Sequence, residues 1–359
     1  MRTGIAHLPL HYGKAPAWLF GRMKKLAAEI SYVIVKEYGT DEFLNRLSDP
    51  YWFQAFGCVL GFDWHSSGLT TTVCGALKEG LKDVSQEIGV FVCGGKGGTS
   101  RKTPLEIDDI GSRRLIKADP GKLIYCSKMS AKVDSAALQD GYQLYHHAFI
   151  FNSEGKWAVV QQGMNVETKW ARRYHWLGDE VKDFVCDPHK AICCDHSSNE
   201  VLNMVAFESG PCRTMSARLA CEGPDEVMEQ FSKIAQLNLS KNHPVSLCDI
   251  RKENLRKILE KTYENHPDGF EALLGTEGVG PKTIRALALI SELVHGKPAS
   301  FTDPVRFSFA HGGKDGHPYM VATRHYDTSI QILKDAVNCA KLGRSEKLAA
   351  LKRLNEIFG

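Results

Sequence analysis

The sequence predicts an α+β protein, with an N-terminal mixed α/β domain built on a central sheet over residues 1–240 and an all-helical domain over residues 241–359. Three observations predict it. Apolar residues recur at helical spacing through the N-terminal third, two β-rich runs follow in the middle, and the β signal fades from about Pro224 onward.

The first helix is "PAWLFGRMKKLAAEISYVIVKEYG", where Leu19, Met23, Leu26, Ile30 and Ile34 share one face and Gly39 closes the segment. A second opens at "SSGLTTTVCGALKEGL", with Ser66 and Ser67 as capping types. "YQLYHHAFIF", the turn-like "NSEGK" and "WAVVQQG" form a hairpin between Tyr142 and Gln162. Strand alternation then sends His146 and His147 to opposite faces, and separates Gln161 from Gln162 in the same way. "NMVAFES" is a further candidate strand. "DEVMEQFSKIAQL", "KENLRKILEKTYE" and "GFEALLG" are amphipathic helices, with a domain boundary expected near Asn238 to Pro244. The last helices, "YDTSIQILKDAVNCAKLG" and "SEKLAALKRLNEIF", are expected to complete the second domain.

With 359 residues, 43% of them apolar and 24% charged, the chain has the composition of a soluble globular protein rather than a disordered one. No apolar run reaches the roughly 18 to 20 residues of a spanning helix, and the N-terminal stretch lacks a signal-peptide core. A cytoplasmic protein with no membrane partner is expected. A formal charge of +3 is too small to announce a nucleic-acid partner, so electrostatic arguments must rest on local clusters. Eleven scattered cysteines, an odd number, read as reduced thiols rather than a disulfide framework.

One stretch, "GTEGVGPKTIRALAL", places a glycine-rich turn between two apolar helical segments. Gly278 and Gly280 permit backbone angles that a Cβ disfavours and allow close approach to the main chain. Pro281 suits the first turn of a helix, whose unpaired N–H groups and dipole attract an anion. The stretch resembles the helix-hairpin-helix motif of DNA repair proteins, in which such a turn holds one strand's backbone. The resemblance implies that Gly278 and Gly280 admit a phosphate while Lys282 and Thr283 contribute charge and a hydroxyl. In the glycosylase branch of that superfamily a lysine at the position of Lys282 forms a Schiff base and an aspartate follows, here matched by Asp303. A lysine there is also common in hairpins that only bind, and Asp303 can equally cap the segment after Thr302.

Over nearly its whole length the chain resembles the domain of unknown function (DUF) 763 family, through "LPLHYGKAPAWLF", "FGCVLGFDWHSSGLTTTVCGALKEGL", "GGKGGTSRKTP" and "YHHAFIF…WAVVQQGMN". That name assigns no activity. "GFDWHSSG" presents Asp63, His65, Ser66 and Ser67 at a glycine-bounded turn, where Asp63 and His65 can bind a metal or activate water. "GGKGGTSRKTPLEID" reads as a mobile basic loop, not a P-loop, since Gly97 rather than Ser or Thr follows Lys96. Lys96, Arg101 and Lys102 suit a nucleic-acid backbone, and Glu106 is a possible carboxylate ligand. "CDPHKAICCDH" spaces Cys186, His189, Cys193 and His196 closely enough to raise zinc, against the alternative of buried reduced cysteines.

The joint expectation is a nucleic-acid-processing enzyme, with DNA favoured over RNA. A metal-dependent nuclease is preferred: Asp63, Glu106 and one of His65, His146 and His147 organise a divalent metal, Mn²⁺ or Mg²⁺, or water. Lys96 and Arg101 neutralise phosphate. The alternatives are a glycosylase or abasic-site lyase using Lys282 and Asp303, and a non-catalytic DNA-binding protein. Oligomeric state stays open, a homodimer included.

Overall fold

The apolar stripe of the first helix becomes buried surface as its spacing predicts: α1 (Ala17–Ser48) buries Met23, Leu26, Ile30 and Ile34. Gly39, at φ 87°, kinks this helix where the sequence expects it to end, because that backbone angle is open to glycine and costly for other residues. The computed structural model describes residues 17–62, 67–194, 197–198, 201–236, 247, 249–305 and 323–358. Asp49 caps α2 (Pro50–Leu60) through the amides of Tyr51 and Trp52, and Gly61 in the left-handed region closes it. Ser67 precedes α3 (Gly68–Leu81) but makes no side-chain cap, and Ser66, Asp63 and His65 lie outside the described residues.

After the single turn α4 (Ser85–Ile88) comes β1 (Val90–Lys96), then a 3-10 turn Gly97–Lys102, α5 (Thr103–Ser112) and α6 (Pro120–Lys132). A π turn, Val133–Ala137, leads through β2 (Leu138–Gln139) into β3 (Gln143–Asn152), β4 (Trp157–Met164), β5 (Ala171–Leu177), β6 (Ala191–Cys193) and β7 (Leu202–Asn203). The rest is helical: α7 (Gly210–Ala220), α8 (Pro224–Ala235), α9 (Lys252–Asn265), α10 (Phe270–Gly275), α11 (Pro281–Leu293), α12 (Thr323–Cys339) and α13 (Arg344–Phe358). The expected hairpin is β3–β4, paired from Phe151 with Trp157 back to Gln143 with Met164.

The main sheet has five antiparallel strands in the order β1-β3-β4-β5-β6, and β2 pairs with β7 separately. Its two faces take alternate residues. Ala148, Ile150, Ala158 and Val160 pack with α1, α2 and α3 in one core. Phe149, Phe151, Val159 and Trp176 pack with α6 through α11 in the other. The sheet is therefore the middle of three layers, which is why β5 is buried along its whole length.

Two expectations need correction. The glycine-rich "GGKGG" is not a loop throughout: Gly94, Gly95 and Lys96 are the end of β1, paired with Ala148, His147 and His146. Glycine is required there because a Cβ on Gly94, at φ 90°, would stand 2.2 Å from the His147 carbonyl oxygen. The last helices do not complete a C-terminal unit. Leu333, Val337 and Leu354 enter the core of α1 and α2, and Arg353 donates to the Val59 carbonyl at 2.7 Å. Amphipathic spacing tells that a helix has an apolar face, not which partner covers it. The expected boundary at residues 238–244 lies outside the described residues, and the helices on either side of it, α8 and α9, share one core. Among the described residues no helix is long and apolar enough to cross a membrane.

A buried ion network pins the segment after α11 to the sheet. Arg172, fully buried, donates to Asp140 at 2.9 Å and to both oxygens of Asp303 at 3.1 and 2.8 Å. Tyr174 donates to Asp140 at 2.7 Å, and Asp303 also accepts from the amides of Ser198 and Val305. Removing the guanidinium strands two carboxylates in a low-dielectric interior. Arg172→Ala is expected to lose about 3 to 5 kcal/mol of stability in urea unfolding; a loss under about 1 kcal/mol, the scale of exposed pairs, would contradict this account.

Candidate functional site

Helix α6, the ends of β3 and β4, the 3-10 turn after β1 and the C-terminus of α10 enclose a cleft of about 670 Å³. Its rim is cationic, with Arg101, Lys128 and Lys132, and its floor holds Ser127, His147 and Gln161. The structure thus brings together three parts that are far apart in sequence: the basic turn, the His-bearing hairpin, and Gly275 next to the glycine-rich turn.

The floor is a directed chain of hydrogen bonds. Gln161 donates from Nε2 to Asp134 Oδ2 at 2.6 Å and to the Ser130 carbonyl at 3.3 Å. That orientation leaves Oε1 facing His147 Nδ1 at 3.0 Å. An amide oxygen only accepts, so Nδ1 carries the ring proton and Nε2 keeps its lone pair, which takes the hydroxyl proton of Ser127 at 2.9 Å. Asp134 sits on the π turn behind α6 and also accepts from Trp176 Nε1 at 3.0 Å and pairs with His189 Nε2 at 2.5 Å. Burial lowers the pKa of His147 from its ordinary value, against the raising pull of Gln161 and Asp134, so the ring is held in its neutral form.

His146, one residue away, turns to the opposite face. It is 1% exposed, and neither ring nitrogen has a partner among the described residues. Its cross-strand neighbour Gln162 donates to the Ser67 carbonyl at 2.9 Å and to the Tyr145 hydroxyl. Lys96 lies over the Tyr145 ring, 5.7 Å from its centroid.

Glu106 stands elsewhere. Both its oxygens accept from Lys78 Nζ at 2.7 Å, and Oε2 also accepts from the Gly94 amide at 2.7 Å, while Lys78 reaches the Gly94 carbonyl at 2.8 Å. This clip fixes the end of β1, and it lines a separate hollow together with Lys102. Glu106 and Lys102 therefore do not share the cleft of Arg101 and His147. Among the described residues no group of three or more His, Cys, Asp or Glu side chains is arranged to hold a metal ion. Of the four expected zinc ligands, His189 is bound to Asp134, whereas Cys193 lies beside Arg173 on the other side of the sheet. Burial pushes the Cys193 thiol up to about 12 despite Arg173. Cys186 is half-buried and His196 is outside the described residues.

The glycine-rich turn is not sealed: Gly275, Glu277, Gly278, Pro281 and Lys282 are exposed, with Val279 as the buried anchor. Gly278, at φ 91°, makes the turn. Lys132 Nζ donates to the Val279 carbonyl, and Gln139 Nε2 to the Pro281 carbonyl at 2.8 Å. A trans peptide points its N–H opposite to its C=O. The amides of Gly280 and Lys282 therefore face away from these two donors, and α11 has no side-chain cap. Lys282 Nζ donates to the Asp249 carbonyl at 2.7 Å, and its charge lies 3.3 Å from the Asp249 carboxylate, which Arg285 also contacts. Burial pushes that carboxyl up, yet Arg285 and Lys282 together hold it below its ordinary range. Thr283 is buried, and Asp303 is committed to Arg172.

Ser127, Lys128, Lys132 and Asp134 were not legible as site residues. They sit in "CSKMSAKVD", a helical run with no motif, and only the His–Gln pairing across β3 and β4 signals what faces them.

Residues 4–321 match the model of a family described as "Protein of unknown function (DUF763)", and the chain belongs to that family. No curated protein and no solved structure matches it.

The unpaired His146 makes stability depend on pH. Burial, then the proximity of the His147 ring and of Lys96, lower its pKa from 6.5 to about 3. A group that binds its proton less well when folded stabilises fully above its unfolded value and loses that contribution as pH falls below it. Between pH 6.5 and about pH 5 this one ring should remove roughly 1.5 kcal/mol of unfolding free energy. Urea unfolding across that range should show a shallower decline for His146→Leu than for the parent; parallel declines would mean the ring is not buried neutral.

Proposed function

We propose that this protein is a nucleic-acid-processing enzyme that hydrolyses phosphodiester bonds in the cleft between α6 and the β3–β4 hairpin. The observation that carries the reading is the clamp of the glycine-rich turn onto the wall of the cleft. Lys132 and Gln139 take its carbonyls, which joins the turn to the wall of a cleft whose rim also carries Arg101 and Lys128. Backbone amides at a helix start and cationic side chains both bind phosphate without reading sequence.

In this reading the α10–α11 turn acts as a helix-hairpin-helix grip on one strand, and Arg101, Lys128 and Lys132 neutralise charge at the phosphate to be cut. His147, neutral and with Nε2 as acceptor, takes the proton of the attacking oxygen. A divalent cation, Mn²⁺ or Mg²⁺, belongs to the proposal through Asp63 and His65, and would supply charge neutralisation and an activated water. Glu106 joins it only by giving up Lys78 and the Gly94 amide.

The test is incubation of end-labelled single- and double-stranded DNA and RNA with Mn²⁺, Mg²⁺ or chelator. Cleavage is expected, and His147→Ala should slow it by about 100-fold or more, the scale of a lost general base. Arg101→Ala and Lys128→Ala should each weaken duplex binding and reduce the slope of log affinity against log salt by about 0.9. Salt-sensitive binding with no cleavage would leave a non-catalytic binder. A borohydride-trapped adduct lost in Lys282→Ala would move the chemistry to the lyase alternative, and the absence of both binding and cleavage would overturn the reading.

A further inference from the structure

The hydroxyl of Ser127 has a setting unlike those of its neighbours on the same helical stretch. Ser130 donates to the Ser127 carbonyl and Ser135 to the Lys132 carbonyl, ordinary local bonds that occupy the proton. Ser127 gives its proton instead to an imidazole, 2.9 Å away and twenty residues distant in sequence. That imidazole is oriented by a third group, Gln161, and the orienting amide is itself locked by a buried carboxylate. Nucleophile, base and orienter in hydrogen-bonded sequence are what convert a weak hydroxyl into an attacking oxygen. The arrangement lies on the floor of the cleft, under Arg101, Lys128 and Lys132. A rim of side-chain cations suits a phosphoryl group, whose charge is spread over several oxygens.

We propose that Ser127 is a covalent nucleophile toward phosphorus, with His147 as its base and Gln161 as the positioning residue. The substrate identity rests on the phosphodiester reading above; the nucleophile rests on the geometry of the floor. In the first step Ser127 Oγ forms a bond to phosphorus, its proton passes to His147 Nε2, and the bond from phosphorus to the leaving alkoxide oxygen breaks. His147 returns the proton to that oxygen. In the second step water attacks the phosphoserine, loses a proton to His147, and the bond from phosphorus to Oγ breaks as Ser127 takes the proton back. One water is consumed, and the products are a phosphomonoester and an alcohol.

The test uses a phosphonofluoridate probe on the full chain, without nucleic acid. Attack by an activated serine expels fluoride and leaves a stable phosphonyl ester, located by peptide mass mapping. The expected result is an adduct on Ser127, formed at least about 100-fold more slowly in His147→Asn, as for loss of a general base, and absent in Ser127→Ala. Mapping on the unmodified protein decides the point even if Ser127→Ala fails to fold. An adduct on Ser127 in a protein that cuts no nucleic acid supports the nucleophile and removes the nucleic-acid substrate. No adduct on Ser127, or one confined to Ser130 or Ser135, overturns the proposal, and does so even where cleavage is found, since water would then be the attacking group.

Discussion

Asp134 is the constraint from which the site is built. Its carboxylate has no exposed surface, and a bare charge in that position would be prohibitive. It is tolerated because Gln161, Trp176 and His189 converge on it from β4, β5 and the segment before β6. Each partner is thereby fixed, and one of them fixes something further. A glutamine amide free to rotate would present nitrogen or oxygen to His147 with little preference. Bound to Asp134 through Nε2, it can present only oxygen, and that choice decides which imidazole nitrogen carries the proton. The protonation pattern on the floor of the cleft is thus set by a carboxylate with no contact to solvent.

The opposite face of the sheet is also wired, but less completely: both His146 ring nitrogens, Gln162 Oε1 and His175 Nε2 have no hydrogen-bond partner among the described residues. Arg173, next to Arg172 and pointing the other way, donates to Gln54 at 2.9 Å and to the Pro50 carbonyl at 3.3 Å. Gln162 reaches the Ser67 carbonyl and His175 lies 3.2 Å from the Leu47 carbonyl. Polar groups on both faces at one end of three adjacent strands tie the sheet to α1 and α2 on one side and to α6 on the other. Such buried networks rigidify when their members are paired. A site that rests on strands held from both sides keeps its geometry better than one carried by loops.

How much of this was readable follows from where the partners lie. The stripe of Met23, Leu26, Ile30 and Ile34 and the β3–β4 hairpin are local patterns, and local patterns are what a sequence displays. Alternation gives His146 and His147 opposite faces of β3, yet both residues border the same cleft, which the strand pattern alone does not show. β5, "ARRYHWL", carries no legible strand pattern, because Arg172, Arg173 and His175 are of types ordinarily exposed. They are buried because Asp303, Gln54 and the Leu47 carbonyl satisfy them from more than a hundred residues away. Ser127 was invisible for a related reason: its meaning lies wholly in a partner on another element. Glu106 looked like a ligand, yet Lys78, twenty-eight residues earlier, had already claimed it.

The turn at Gly278 and the cleft behave as one body, which separates this architecture from a catalytic unit with a tethered binding domain. With a tether, the linker sets the effective concentration of one site at the other, and its entropy is lost on simultaneous engagement. Here Leu273, Leu274, Ile284 and Leu287 are buried in the same core as Phe149 and Trp176, and Lys132 joins the turn directly to the cleft wall. Moving the turn relative to His147 would mean exposing that core. Under the proposed function, a backbone gripped at the turn would be presented to the cleft at a distance fixed by packing, and binding energy gained at the turn would be available for positioning a phosphate over the floor.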